Sequence, residues 1–484
     1  MANLTDYSIN DAPMMMDIRS DTLEPISNTS KKFVFRLDQA GYLDQNSVLL
    51  FKLQNGANNS NLRVNNFNGG LGAIKRAIFQ VGDYVINDVD GCDKMMTMLN
   101  FVAKNNQRVN NFDTWYYQNQ LNWKVLEGAS TADCGADNCG TGTIVADKVS
   151  CGVNIGDVGN GNAGPQVHSM PITNNHENNT QIGIPLGTIF PALKSRTIPL
   201  FLFQDYRILI TIEFNDAPKY INDIAEIAGG AGGNTGLRAN ANAVTYQDVK
   251  LQVDYIIMPS EVQNKDRAMT TAQGGLNLTF FDSVKVEKQI PAATANTLQS
   301  VEQRIGADNK EVHKIYMSKR LTADDGLPLN ALYLDQRIDG MNQEEYNVNI
   351  AGVDVFPDYK WAPTSHYDET ANCLGTDIQV PRPVYFNDEN TAFNGLGSQS
   401  GGVLGKYKPL CLDLSNGNEG ILGSGRTIGA YPIIWKYRRK PAGAIAGYYT
   451  RALNTALEVD YFLLVSKTAN IKSSPTGTQV QVSY

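Results

Sequence analysis

Three cysteines, Cys134, Cys139 and Cys151, stand in the order C-x4-C-x11-C beside Asp133 and Asp137. Closely spaced thiolates are the soft ligands that zinc selects, but a structural zinc site usually wants four ligands in tighter pairs, so this spacing reads as solvated loop thiols. The four histidines, His168, His176, His313 and His366, sit at no metal or triad spacing. Gly159, Gly161 and Gly164 match G-x-G-x-x-G literally, yet neither a strand before them nor a helix after them is in the pattern, which a dinucleotide site requires. GGVLGKYK (401–408) ends like a phosphate-binding loop but has Ser400 in place of the first glycine and Tyr407 where a magnesium-binding hydroxyl belongs. IIWKYRRK (433–440) interleaves aromatic and basic residues as a base-stacking surface would, although an acidic chain makes a strand with a solvated basic face the better reading. The carboxylate pairs Asp324-Asp325 and Glu344-Glu345 are sequence neighbours, which suits turns and strand edges better than a hydrolytic cleft. The sequence thus offers no catalytic, cofactor-binding or metal-binding residue to name, and no enzyme is expected.

The elements that would position such groups are nearly all strands. FVFRL (33–37), SVLLFKL (47–53), AIFQV (77–81), YRILITIEF (206–214), KLQVDYIIM (250–258), LTFFDSVKVEK (278–288), VHKIYM (312–317) and ALEVDYFLLV (456–465) are apolar runs of strand length. Ile208, Ile210 and Ile212 alternate with Arg207, Thr211 and Glu213, as a half-buried strand requires. Gly82-Asp83, between two such runs, predicts a two-residue hairpin because glycine supplies the positive φ that these turns need. Helical spacing is confined to DKMMTMLNFVAK (93–104), behind a possible Asp93 cap, and SEVQNKDRAMTTA (260–272), where Ser260 and Gln263 suggest a capping box. Gly- and Asn-rich stretches over 127–180 and 356–430 are too long for ordinary connections and predict elaborated surface loops.

LQVDYIIM (251–258) returns as LEVDYFLL (457–464), a period far longer than any solenoid repeat, so the unit repeated is a whole domain. A chain of 484 residues is long for one core and agrees with that. The boundary is expected near Gly275, giving an amino-terminal arm over 1–28, a first domain over 29–275 that ends in the connector helix near 260–272, a second domain over 276–467 and a tail over 468–484. Charged residues are 19% and the formal net charge is −8. A mostly uncharged, Asn-rich surface suits broad protein contacts, and the acidic balance argues against gripping phosphates. Without an apolar run of membrane-spanning length or a signal-like start, synthesis inside a cell is expected. Six cysteines in such a chain do not read as a disulfide framework.

Several segments resemble the double jelly-roll major capsid proteins, the lineage of polinton-like viruses, virophages and nucleocytoplasmic large DNA viruses. AIKRAIFQVGDYVINDVDGCDKMMTMLNF (73–101) looks like that family's strand, hairpin, strand and helix. GIPLGTIFPALKSRTIPLFLFQDYRILITIEF (183–214) is similar to its I-P-L, F, L-P-L and strand segment, carried here by Ile184, Pro185, Leu186, Phe190, Ile198, Pro199, Leu200 and the strand to Phe214. LQVDYIIMPSEVQNKDRAMTTAQ (251–273) resembles the strand and helix that leave the first domain, keeping only Glu261 and Arg267 of an acidic and arginine-rich turn. The resemblance implies an all-β chain of two consecutive eight-stranded jelly rolls with short helices and long surface loops. It implies pseudo-hexameric homotrimers tiling an icosahedral shell in the virion of a DNA virus. The partners implied are the chain itself, neighbouring trimers, and penton and minor capsid proteins, with no sequence-specific nucleic acid and no cofactor. Alternatives are a β-sandwich adhesin or lectin and, behind it, a jelly-roll carbohydrate-active enzyme. Tyr255 and Tyr461 are expected at equivalent positions of the two domains.

Overall fold

The computed structural model describes residues 17–55, 62–64, 69–96, 181–195, 197–216, 244–272, 275–292, 297–321, 344–361, 410–415, 425–428, 432–439, 456–474 and 477–484, with short pieces at 120–121, 167–168, 221–223, 294 and 373. The first group of described strands is β1 (Asp17–Leu23), β2 (Ser27–Asn28), β3 (Lys32–Leu37), β4 (Tyr42–Leu43), β5 (Val48–Asn55), β6 (Leu62–Val64), β7 (Ile74–Val81), β8 (Tyr84–Asp90), β9 (Gln120–Leu121), β10 (Val167–His168), β11 (Gln181–Pro185), β12 (Ile198–Pro199), β13 (Ile208–Phe214), β14 (Ile221–Asp223) and β15 (Val244–Ile257). One sheet runs β11-β5-β15, with β1 on the far side of β15 and the short β4 and β12 attached; the facing sheet runs β2-β3-β13-β7-β8. Strand alternation makes the core between them. Ile208, Ile210 and Ile212 of β13 meet Phe35, Phe79, Phe51 and Leu251 in one buried cluster, each such side chain contributing about 1.5–3 kcal/mol by leaving water.

The second group is β16 (Leu276–Ile290), β17 (Gln299–Ile305), β18 (Glu311–Leu321), β19 (Glu344–Ile350), β20 (Val353–Asp354), β21 (Lys360–Trp361), β22 (Leu410–Asp413), β23 (Arg426–Thr427), β24 (Ile433–Arg439), β25 (Leu457–Ser474) and β26 (Gly477–Ser483). Its sheets run β16-β25-β18-β22 and β17-β24-β19-β20, with β26 added to β25, β23 to β18 and β21 to β19. The order matches the first group strand for strand. In each, the first, eighth, third and sixth principal strands form one open sheet and the second, seventh, fourth and fifth form the other, which is the jelly-roll sandwich. β15 and β25, which carry the repeated segment, are the eighth strands, each between the first and the third.

The fourth and fifth strands of each jelly roll are joined by a two-residue turn. Val81 pairs with Tyr84 around Gly82-Asp83, as expected, with φ +58° at Gly82. Ile350 pairs with Val353 around Ala351-Gly352, a turn that the sequence reading passed over, with φ +53° and +83°.

Short helices fill corners: α1 (Leu186–Ile189), α2 (Pro191–Ser195) and α3 (Ser260–Thr271). The expected capping box on α3 is absent. Pro259 is the N-cap, and Gln263 donates its amide to the Met258 carbonyl at 2.9 Å, because a proline at the cap leaves no N–H for the glutamine to receive. The helical turn behind Gly91 already includes Cys92, so Asp93 is not its cap; its carboxylate accepts from Asn215 Nδ2 at 3.0 Å. Residues 17–28, placed with the arm on sequence, are β1 and β2, and β1 pairs with β15 from Asp17 opposite Ile257 to Leu23 opposite Leu251. Residues 468–484, placed in the tail, extend β25 and fold back as β26. Polar residues hid the strands at the amino end, whereas at the carboxyl end TQVQVSY (478–484) alternates visibly, with Val480 buried. Residues 1–16 and the cysteine loop around Cys134, Cys139 and Cys151 lie outside the described residues.

Candidate functional site at the seam between the jelly rolls

The sheet β16-β25-β18-β22 is buried on both faces. Ile315, Met317, Val459, Tyr461, Leu463 and Val465 point into the second core. Tyr316 and Phe462 point the other way into the first core, which Leu276, Leu278, Phe280, Ala469 and Ile471 join farther along β16 and β25. Along β25 consecutive side chains therefore alternate between two cores, Tyr461 to one and Phe462 to the other, as the two-residue period of a strand dictates.

Set into this seam are ionised groups from both jelly rolls. Asp282 of β16 is buried; its Oδ1 accepts from Asn87 Nδ2 of β8 at 2.9 Å and from the Ser283 amide at 2.9 Å, and its Oδ2 lies 3.0 Å from Lys467 Nζ of β25. Tyr484 donates to the same Oδ2 at 3.3 Å, and its ring lies under the ammonium groups of Lys310 and Lys467. Burial, then the Asp282 charge, pushes the Tyr484 phenol up to about 12. Asn87 is satisfied at its other end by the backbone N–H of Ala192 in α2, at 2.9 Å. A second cluster lies on Asp460 of β25, which is fully buried. Lys94 Nζ, from the helical turn after β8, is 3.3 Å from its Oδ2, and Lys285 Nζ of β16 is 3.7 Å from its Oδ1. Lys285 also lies 3.1 Å from Glu287 and 3.8 Å from Asp90. Burial pulls the Lys285 ammonium down, but Asp460, Asp90 and Glu287 together outweigh it, and the net shift is upward.

The carboxyl end of the chain completes the joint. Tyr206 Oη donates to the Thr478 carbonyl of β26 at 2.9 Å, and the Thr478 amide donates to Asp205 at 2.7 Å, both acceptor and donor reaching across from the first jelly roll.

Chemically the arrangement holds rather than reacts. Its lysines are matched by carboxylates, and among the described residues no group of His, Cys, Asp and Glu has the arrangement of a metal site. Removing one member of a buried pair costs about 3–5 kcal/mol, because the other charge stays buried alone; Lys94–Asp460 crosses between the two sandwiches, whereas Lys467–Asp282 and Lys285–Asp460 tie β25 to β16 within the second. Sequence reading missed these residues, since Lys94 and Asp460 are 366 positions apart and nothing local marks them.

Those groups singled out by the sequence that lie among the described residues do not converge here. His313 is buried, its Nε2 2.6 Å from Ser466 Oγ and its ring edge-on to Phe281. Desolvation lowers its pKa, against the pull of Glu311 and Asp413. In IIWKYRRK, Trp435 and Tyr437 enter the second core, while Lys436 pairs with Asp354 at 2.8 Å and Arg438 stacks over Tyr359, so Lys436 and Arg438 line the outer face. Glu344 and Glu345 open β19, alongside β24; Asp324 and Asp325, His176 and His366, and the 159–164 and 401–408 glycine stretches lie outside the described residues. No described helix is long and apolar enough to cross a membrane.

No protein-family model and no curated protein sequence matches the chain. Solved structures do. The crystal structure of VP54 of the virus PBCV-1, fitted into a cryo-EM reconstruction of the virophage Sputnik, aligns with a TM-score of 0.57 at 10% identity, covering 99% of this chain and 100% of that one. A quasi-atomic model of the PBCV-1 virus capsid aligns with a TM-score of 0.53 at 11% identity, covering 99% of both. Agreement over the full length of both chains, with the same strand order in each half here, establishes the fold as a double jelly roll.

Proposed function

We propose that this chain is the major capsid protein of a DNA virus and that it acts as a homotrimer. The observation that carries the reading is the pairing of two jelly rolls of identical strand order, locked side by side through a buried sheet face and the Lys94–Asp460 ion pair across it. Three such double units around one axis present six similar walls, which suits a six-coordinated position in an icosahedral lattice. The likeness to PBCV-1 VP54 over the whole chain supports the same reading. In this proposal the jelly rolls meet at Gly275, the virion is the site of action, neighbouring trimers are the main partners, and penton and minor capsid proteins complete the shell. No catalysis is assigned. The low charge density fits permanent contacts, with about 2,000–5,000 Å² buried per subunit pair. The test is the mass of the purified chain in solution, followed by electron microscopy of what it assembles into. Trimers that form pseudo-hexagonal arrays are expected; a stable monomer at micromolar concentration overturns the proposal.

A further inference from the structure

Cys373 and Cys411 are both fully buried, both reduced, and 38 positions apart in sequence, yet their thiols are in hydrogen-bonding contact. Each is held against the same strand. Cys411 lies in β22, directly opposite Tyr316 of β18. The Cys373 carbonyl accepts from Lys314 Nζ, two residues along the same strand. Lys314 and Tyr316 share one face of β18, so one rigid element sets the spacing of both cysteines. β22 is the outermost of the described strands of its sheet, the kind of element that opens locally at lower free energy than the centre.

We propose that Cys373 and Cys411 are a disulfide site that fastens the outer edge of the second jelly roll when the chain meets a low-molecular-weight disulfide such as oxidised glutathione. One thiolate attacks a sulfur of the oxidant and expels a glutathione thiolate, leaving a mixed disulfide. The second cysteine then attacks the protein sulfur of that intermediate and expels the glutathione attached to it. Two cysteine thiols and one oxidised glutathione become one protein disulfide and two reduced glutathiones, the two cysteine protons passing to the departing thiolates. Side-chain rotation brings the sulfurs from contact to a bond of about 2.05 Å.

Burial pushes the Cys373 thiol well above its ordinary value, and the neighbouring Cys411 adds to the shift. Thiolate is therefore scarce at neutral pH, and a reducing compartment leaves the pair open. The chemistry is independent of the capsid reading; only the occasion for oxidation, release from a reducing cell, rests on it.

The test uses the full-length chain incubated with oxidised or reduced glutathione at mildly alkaline pH, then unfolded in acid, alkylated, digested without reduction and mapped by mass spectrometry. A linked Cys373–Cys411 peptide is expected in the oxidised sample alone, forming faster as the pH is raised. It should come with a rise in melting temperature of about 3–5 °C that is lost in Cys411→Ser. Recovery of both cysteines alkylated after exhaustive oxidation, or of either one only as a glutathione adduct, overturns the proposal. The mapping needs only the parent chain, so a serine variant that fails to fold does not hide the answer. Mass and array formation are measured separately, so failure here leaves the capsid reading to its own test.

Discussion

The two V-D-Y segments share a sequence and a place in the sheet order but not an environment. In β15, Tyr255 fills the first core and accepts a hydrogen bond from the Asp38 amide at 3.0 Å, just past the second strand of its jelly roll. In β25, Tyr461 fills the second core and donates to Gln303, within the corresponding second strand. Inward, the copies agree. Outward they diverge: Asp254 is half-buried and takes the Ser20 hydroxyl, whereas Asp460 is sealed beneath the other jelly roll between two lysines. A strand has two faces: the two copies share the one that makes a jelly roll, and in β25 the other makes a joint.

The outward faces give the largest expected contrast. Asp460→Ala takes the buried partner from Lys94 and one of three carboxylates from Lys285 and is expected to destabilise the chain by about 3–5 kcal/mol, whereas Asp254→Ala should cost only about 0.5–1.5 kcal/mol. Denaturant unfolding of the two variants measures this, and equal losses would remove the distinction between the faces. Next come the matched turns. Gly82→Ala forces a side chain into positive φ and puts its Cβ 2.5 Å from the Tyr206 ring, at an expected cost of about 2–4 kcal/mol. Gly352→Ala meets nothing within 4 Å and should cost about 1–2 kcal/mol from backbone strain alone. Since Tyr206 also holds β26, Gly82→Ala should in addition expose the carboxyl-terminal strand to limited proteolysis.

The inward faces differ less. Tyr461→Phe leaves a buried Gln303 oxygen without its donor and should cost about 1–3 kcal/mol, against about 0.5–1.5 for Tyr255→Phe, where water reaches Asp38. Thermal melts suffice, and a larger loss at Tyr255 would reverse the ranking. The smallest effect is in pH dependence. His313 in the second jelly roll has a depressed pKa, so the stability that it contributes is full above about pH 6.5 and falls as acid protonates it. Asp266 in α3 has a raised pKa, from burial opposed by Tyr42 and Lys265, so its contribution is full below the ordinary carboxylate value and is lost as pH rises through the folded one. Hydrogen exchange at pH 7 and pH 5.5 should show protection falling around β18 but not around α3, and His313→Gln should abolish the difference.

Much of the fold is legible because it rests on local alternation. Ile208, Ile210 and Ile212 announce β13, Gly82 announces its turn, and the repeated V-D-Y segment marks the eighth strand twice. The Ala351-Gly352 turn was less visible because alanine seldom takes positive φ. The strand at 17–23 was hidden because it pairs with a partner but covers little core, so hydrophobicity does not mark it, whereas the alternation of TQVQVSY (478–484) is open to view in the tail. The seam was illegible for a different reason. Phe462 and Phe280 read as ordinary strand residues, and nothing in a sequence tells whether the second face of a strand meets water or another domain. Lys94, Lys285, Asp282 and Asp460 look like surface charges until the far half of the chain is folded over them.

The sheet that belongs to two cores also sets a timetable for synthesis. The first jelly roll leaves the ribosome before β25 exists, so the apolar end of its core that Phe462 and Ile471 later cover must wait for roughly 200 further residues, about 10–40 s at typical elongation rates. During that interval the nascent half is a sticky intermediate. Its yield should depend on translation speed and on chaperone capacity more than on the final stability of the folded chain.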